Sequence, residues 1–136
     1  MKLLDTNVCI EVLRNNASIR QRMVDEMLAS ELAVSAITIF ELEYGAWRSA
    51  RPDQELAKVR AFLAGGPHTV ELGAADAAAS GEIRARLAAL GQTIGAYDLL
   101  IAGQARARDW TLVTANRREF ARVPGLSLED WSRAPA

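Results

Sequence analysis

Lys2-Leu3-Leu4-Asp5-Thr6-Asn7-Val8 opens the chain and sets a pattern that later segments repeat. Three residues suited to a short buried strand stop at a run of small polar side chains. Each of these can cap a helix, and Val8 resumes the apolar pattern behind them. Asp5 is thereby left where a strand gives way to a helix. Towards the other end, Leu112-Val113-Thr114-Ala115-Asn116 repeats the arrangement, with Glu119 one turn later. Between these two segments, Asp98 follows Gly95 at a helix start, and Glu41 stands three residues after Thr38 in capping-box register.

Strands are predicted at 2–4, 32–36, 69–72, 111–114 and 126–128. A helix runs from Val8 to Arg14, and a second over 17–30 carries Ile19, Met23 and Met27 as one apolar stripe. Thr38 opens a third helix that ends at Arg48. Pro52 begins a fourth, facing the core with Leu56, Val59 and Leu63. Gly65-Gly66-Pro67 ends it. Helix 74–90 turns Ile83, Leu87 and Leu90 inward and stops at Gly91. Helices over 97–108 and 116–120 complete the set. Such alternation implies an α/β fold in three layers, a short central parallel sheet with helices on both faces. Ligands of these folds gather outside the carboxyl ends of the strands, where the four acids are placed. One domain is expected over 1–132, with a short C-terminal tail over 133–136.

Composition narrows the chemistry. Half of the 136 residues are hydrophobic and 24% are charged, as in an ordinary globular domain. A formal net charge of −1 gives no global field to attract nucleic acid. Of sixteen basic residues only Lys2 and Lys58 are lysine, and the remainder are arginines, which grip phosphate bidentately. A lone cysteine, Cys9, forms no internal disulfide, and the apolar start breaks at Asp5 before it can serve as a leader. No run is long enough to cross a membrane. A cytoplasmic protein is expected. Cys9 has no catalytic partner, and Cys9 with the single histidine, His68, cannot build a zinc site. No glycine-rich nucleotide loop occurs. An aspartyl-phosphate mechanism would need an acid where Asn7 stands.

Taken singly, each acid has a plain reading. Asp5 caps a helix, Glu41 completes a capping box, Asp98 complements a helix dipole, and Glu119 is solvated. Taken together, they obey one placement rule. Carboxylates converging at one sheet end form an oxygen-rich cage for a hard divalent cation, an arrangement suited to phosphate-ester chemistry. Glu41 and Gly45 share a helix face, and Gly45 leaves room for a substrate backbone. Glu43 points elsewhere.

Leu4-Asp5-Thr6-Asn7, Thr38-x-x-Glu41-Leu42-x-x-Gly45, Asp98-x-x-Ile101-Ala102 and Leu112-Val113-Thr114-x-Asn116-x-x-Glu119-Phe120 resemble, in order and over almost the whole chain, the PIN-domain ribonucleases. Within them, the VapC-type toxins of toxin–antitoxin pairs are the nearest in pattern. The resemblance implies a Mg²⁺-dependent (or Mn²⁺-dependent) endoribonuclease whose acidic triad is Asp5, Glu41 and Asp98. It implies an RNA substrate, a homodimer, and a small VapB-like antitoxin covering the active site. Many relatives have an acid where Asn116 stands, so Glu119 is expected to supply the fourth charge.

On this reading Asp5 and Asp98 bind metal directly, while Glu41 and Glu119 act through water or hold a second ion. Thr6, Asn7 and Asn116 are expected to orient these groups or the substrate. Arg48, Arg51, Arg117 and Arg118 are candidates for gripping phosphate. Tyr44 and Trp47, three apart, stack bases, line an antitoxin groove or fill core. Two other readings stay open: a catalytically silent RNA- or protein-binding module of the same fold, and a metal-dependent small-molecule phosphatase.

Overall fold

Alternation along the strands divides the core in two. The computed structural model describes residues 1–133; residues 134–136 of the expected tail lie outside that range. β1 (Lys2–Leu4) leads through α1 (Thr6–Leu13) and α2 (Ala17–Ala29) to β2 (Leu32–Ser35). α3 (Ala36–Arg48) and α4 (Pro52–Gly65) carry the chain to β3 (His68–Val70). α5 (Ala74–Ala89) and α6 (Ala96–Ala107) precede β4 (Thr111–Val113), α7 (Arg117–Phe120) and β5 (Ser127–Glu129). All pairings are parallel, in the order β3-β2-β1-β4-β5.

Leu3 pairs in register with Ala33 and Leu112, and these three join Ile83, Leu87, Ile101 and Phe120 in the core beneath α5, α6 and α7. Leu4 and Val113, one residue on, face the opposite layer, where Val8, Cys9, Leu42, Val59 and Trp131 cover them. A strand with period two, apolar on both sides, needs helices on both sides. The expected three-layer architecture is present.

The chain winds from β1 outward to β3 in one direction, then returns to place β4 and β5 on the other side of β1. β1 and β4 therefore flank the point where the winding reverses, the place where a crevice opens at the strand ends. Asp5 and Thr114 are the first residues past those two strands.

Some details differ from expectation. α1 begins directly at Thr6, capped by Asp5. α3 is capped by Ser35, whose hydroxyl accepts from the Ile37 N–H at 3.1 Å, so Thr38 and Glu41 do not form a capping box. Met27 and Leu90, expected inward, are exposed. They lie near helix ends, where periodicity still assigns a face but no neighbouring element covers it. Gly91 ends α5 at φ +68° as its placement required. Among the described residues, no helix is long and apolar enough to cross a membrane.

Candidate metal-dependent active site

Asp5 is 2% exposed, and both of its carboxylate oxygens are held. Oδ1 accepts from the Thr6 N–H at 2.8 Å and Oδ2 from the Thr114 hydroxyl at 2.8 Å. The Thr114 hydroxyl in turn accepts from the Asn116 N–H at 3.0 Å. Thr6 reaches across to α3, where its Oγ1 donates to Glu41 Oε1 at 2.8 Å. Its single proton is then committed, so the 2.9 Å contact with Thr38 Oγ1 has Thr38 as donor. Asp98 stands in the first turn of α6, half-buried, with no hydrogen-bond partner for its carboxylate among the described residues. Glu119 Oε1 accepts from the Gly95 N–H at 3.1 Å and Oε2 from Asn116 Nδ2 at 2.8 Å.

The acids sense one another. Burial raises the Asp5 carboxyl above its ordinary range, hydrogen bonds from Thr114 and Thr6 oppose that, and the charges of Glu41 and Glu119 add to the rise. Asp98 is pushed up to about 6, first by burial and then by Asp5, Glu119 and Glu41. The two hydrogen bonds on Asp5 favour its charged form, and that charge disfavours ionisation of Asp98.

The structure thus brings Asp5, Glu41, Asp98 and Glu119 to one sheet end with Thr6 and Asn116 between them. Asn7 is not among them. Its side chain is exposed and makes no hydrogen bond among the described residues, because α1 begins at Thr6 and turns the next position outward. Asn116 serves Glu119 as a donor. Sequence reasoning passed over Thr38 and Thr114, both 0% exposed, as a cap and a strand end. The repeat of a small polar residue directly after β1 and after β4 was the available signal for Thr114. Glu43 leaves the site, 3.6 Å from Arg60. Cys9 is a core thiol, pushed up by burial. Arg48, Arg51, Arg117 and Arg118 are all exposed. Tyr44 and Trp47 are also exposed, at 56% and 62%, which removes their core reading.

The donor set suits a hard cation: oxygen atoms only, one carboxylate without a partner, and acids that destabilise each other's charge. Among the described residues, no three His, Cys, Asp or Glu side chains are close enough to clasp one ion as placed.

A family model described as the PIN domain matches residues 2–126. The chain belongs to the PIN-domain family. It is 42% identical over 131 residues to the tRNA(fMet)-specific endonuclease VapC of Shigella flexneri, covering 96% of this chain and 97% of that one. In structure it resembles VapC-containing complexes. DNA-bound VapBC from Salmonella typhimurium gives a TM-score of 0.89 at 40% identity, covering 96% of this chain and 97% of that one. VapBC2 from Rickettsia felis, bound to a promoter DNA fragment, gives 0.89 at 35% identity, covering 96% and 98%.

Proposed function

We propose that this PIN-domain protein is a metal-dependent endoribonuclease and the toxin of a toxin–antitoxin pair. The single observation carrying the chemistry is the convergence of Asp5, Glu41 and Asp98 at the β1/β4 switch point, with Asp98 raised to about 6 by its neighbours. VapC-named ribonucleases and VapBC complexes supply the rest.

Asp5 and Asp98 would hold a Mg²⁺ or Mn²⁺ ion. When bound, such an ion lowers the pKa of a water and offsets charge on a phosphodiester. The protein's own groups do the positioning. Thr114 and the Thr6 N–H fix the plane of the Asp5 carboxylate, and Thr6 fixes Glu41 with Thr38 behind it. Glu41 keeps Oε2 free to accept from a water, which places it to orient the attacking molecule. Arg48, Arg51, Arg117 and Arg118, exposed and close in sequence to Glu41 and Asn116, are the candidates for gripping flanking phosphates.

A cleft of about 220 Å³ between α1, α3 and α4 ends at Glu41 and passes over Gly45. A Cβ at Gly45 would meet nothing within 4 Å, so internal packing does not demand glycine there. This cleft is the flank from which a small VapB-like antitoxin covers the site. Two copies of the chain pair through the outer face of α3.

The test is cleavage of tRNA(fMet), taken from the name of the Shigella relative, against other RNAs, with Mg²⁺, Mn²⁺ or EDTA. Wild type cuts RNA only with metal, and Asp5→Asn and Asp98→Asn abolish cutting while keeping the fold. Metal-independent cleavage, or full activity in Asp98→Asn, overturns the reading. Binding of RNA without cleavage under any condition would leave the silent-module alternative.

A further inference from the structure

Glu119, like Asp5, has both carboxylate oxygens hydrogen-bonded, but its bonds join the start of α6 to the loop after β4. Both oxygens of its carboxylate are occupied, one by a backbone N–H and one by a side-chain amide. The backbone donor is Gly95, the N-cap of α6, which has no side chain to cap its own helix. A carboxylate arriving from another element satisfies that terminus and complements its dipole. The other donor, Asn116, stands on the loop that follows β4.

These bonds form one unbroken chain. The Gly95 N–H donates to Glu119, Asn116 Nδ2 donates to the other Glu119 oxygen, the Asn116 N–H donates to Thr114, and Thr114 donates to Asp5. It runs from the start of α6 to the buried acid after β1. Among the described residues the Asp98 carboxylate has no hydrogen-bond partner, so its position relative to Asp5 follows from where the first turn of α6 lies.

We infer that Glu119 is a positioning residue, strapping the start of α6 to the β4 loop so that Asp98 meets Asp5, rather than a ligand of the ion. The inference rests on the metal-dependent reading above and revises one role within it.

Geometry and charge separate under substitution. In Glu119→Gln, the amide oxygen still accepts from Gly95, and its NH₂ donates to Asn116 once that amide turns over. Both bonds survive and the charge does not. Glu119→Ala loses both. Purified wild type, Glu119→Gln, Glu119→Ala, Asn116→Ala and Asp98→Asn are titrated with Mn²⁺ alone by calorimetry. The Gly95 amide is followed by hydrogen exchange without metal.

The strap requires Glu119→Ala to weaken Mn²⁺ binding about 10- to 100-fold, while Glu119→Gln stays within about threefold of wild type. Gly95 is protected in wild type and Glu119→Gln, loses protection in Glu119→Ala, and is partly released in Asn116→Ala. A ligand gives the opposite result: Glu119→Gln falls as far as Asp98→Asn while Gly95 stays protected. That result, or an unprotected Gly95 amide in wild type, overturns the inference. If wild type takes up no Mn²⁺, the nuclease reading fails on its own, and the Gly95 exchange pattern still decides the strap.

Discussion

Asp98 shows how much one carboxylate can report. Its pKa in the folded chain is about 6, against an ordinary 3.8. Between those values the folded protein keeps a proton that the unfolded chain has released. Stability therefore falls as pH rises through about 6. Without metal, Asp98→Asn should melt higher than wild type at neutral pH, and its advantage should close as pH drops below about 6. Saturating Mn²⁺ should reverse the order, because an ion that binds only the folded state stabilises wild type and not the variant. Thermal melts of both proteins across pH, with and without Mn²⁺, check this; an Asn variant less stable at neutral pH without metal would contradict it. Asp5, Asp98 and Glu119 were legible in the sequence because each stands where a strand yields to a helix or a helix begins, whereas Glu41 lies one turn inside α3 and was found through a capping box that does not form. Thr38 and Thr114 were not legible, since a hydroxyl there reads equally as a cap. Only the crossing of α1 with α3, and of β1 with β4, gives them partners.

Among elements, α6 has the narrowest tolerance, because its first turn carries Asp98 and its middle lies against α5. At Gly103 a Cβ would stand 2.7 Å from the Ser80 nitrogen and 2.8 Å from its Cα, both backbone atoms that cannot swing aside. Further along the pair, Arg108 grips Asp76 bidentately at 3.1 and 2.9 Å and stacks on Trp110 at 5.0 Å, so α5 and α6 cannot part freely. Gly103→Ala should destabilise the fold by about 1–3 kcal/mol or more, the usual range for overpacking. It should also lower nuclease activity by moving Asp98. Urea unfolding gives the first quantity and RNA cleavage the second; an unchanged midpoint would mean the helices have slack. Periodicity recovered the identity and order of these helices, since burial against a sheet imposes a face every third or fourth residue. It did not reveal that Gly103 matters. A glycine on the buried side of a helix looks weakly destabilising until the facing backbone is known.

At the scale of the molecule, both sheet faces are covered and the acids occupy one sheet end, yet among the described residues the outer side of α3 is left exposed. Phe40, Tyr44 and Trp47, spaced four and then three apart, are 51%, 56% and 62% exposed. Tyr97 at 47% joins them from α6, its ring 5.3 Å from Phe40 in an edge contact. The spacing of Tyr44 and Trp47 allowed a core face, but among the described residues both side chains stay more than half exposed. Aromatic side chains bury about 150–250 Å² each, so four of them half exposed offer roughly 400 Å². That is near half of the roughly 800 Å² that each partner contributes to a standard interface. Arg48 lies beside the stripe, its guanidinium 5.3 Å over the Tyr44 ring. A largely aromatic stripe suits a two-fold contact, in which the same patch serves both copies, better than nucleic acid, which favours clustered cations. Because α3 and α6 also carry Glu41 and Asp98, pairing there would set two acid clusters beside one shared approach for RNA. Trp47→Glu puts like charges across the axis and should convert a dimer to a monomer in sedimentation equilibrium, with an unchanged circular dichroism spectrum because the side chain is exposed. A dimer that survives the substitution must use another face. Lost cleavage at unchanged mass would instead make the stripe a base-stacking surface.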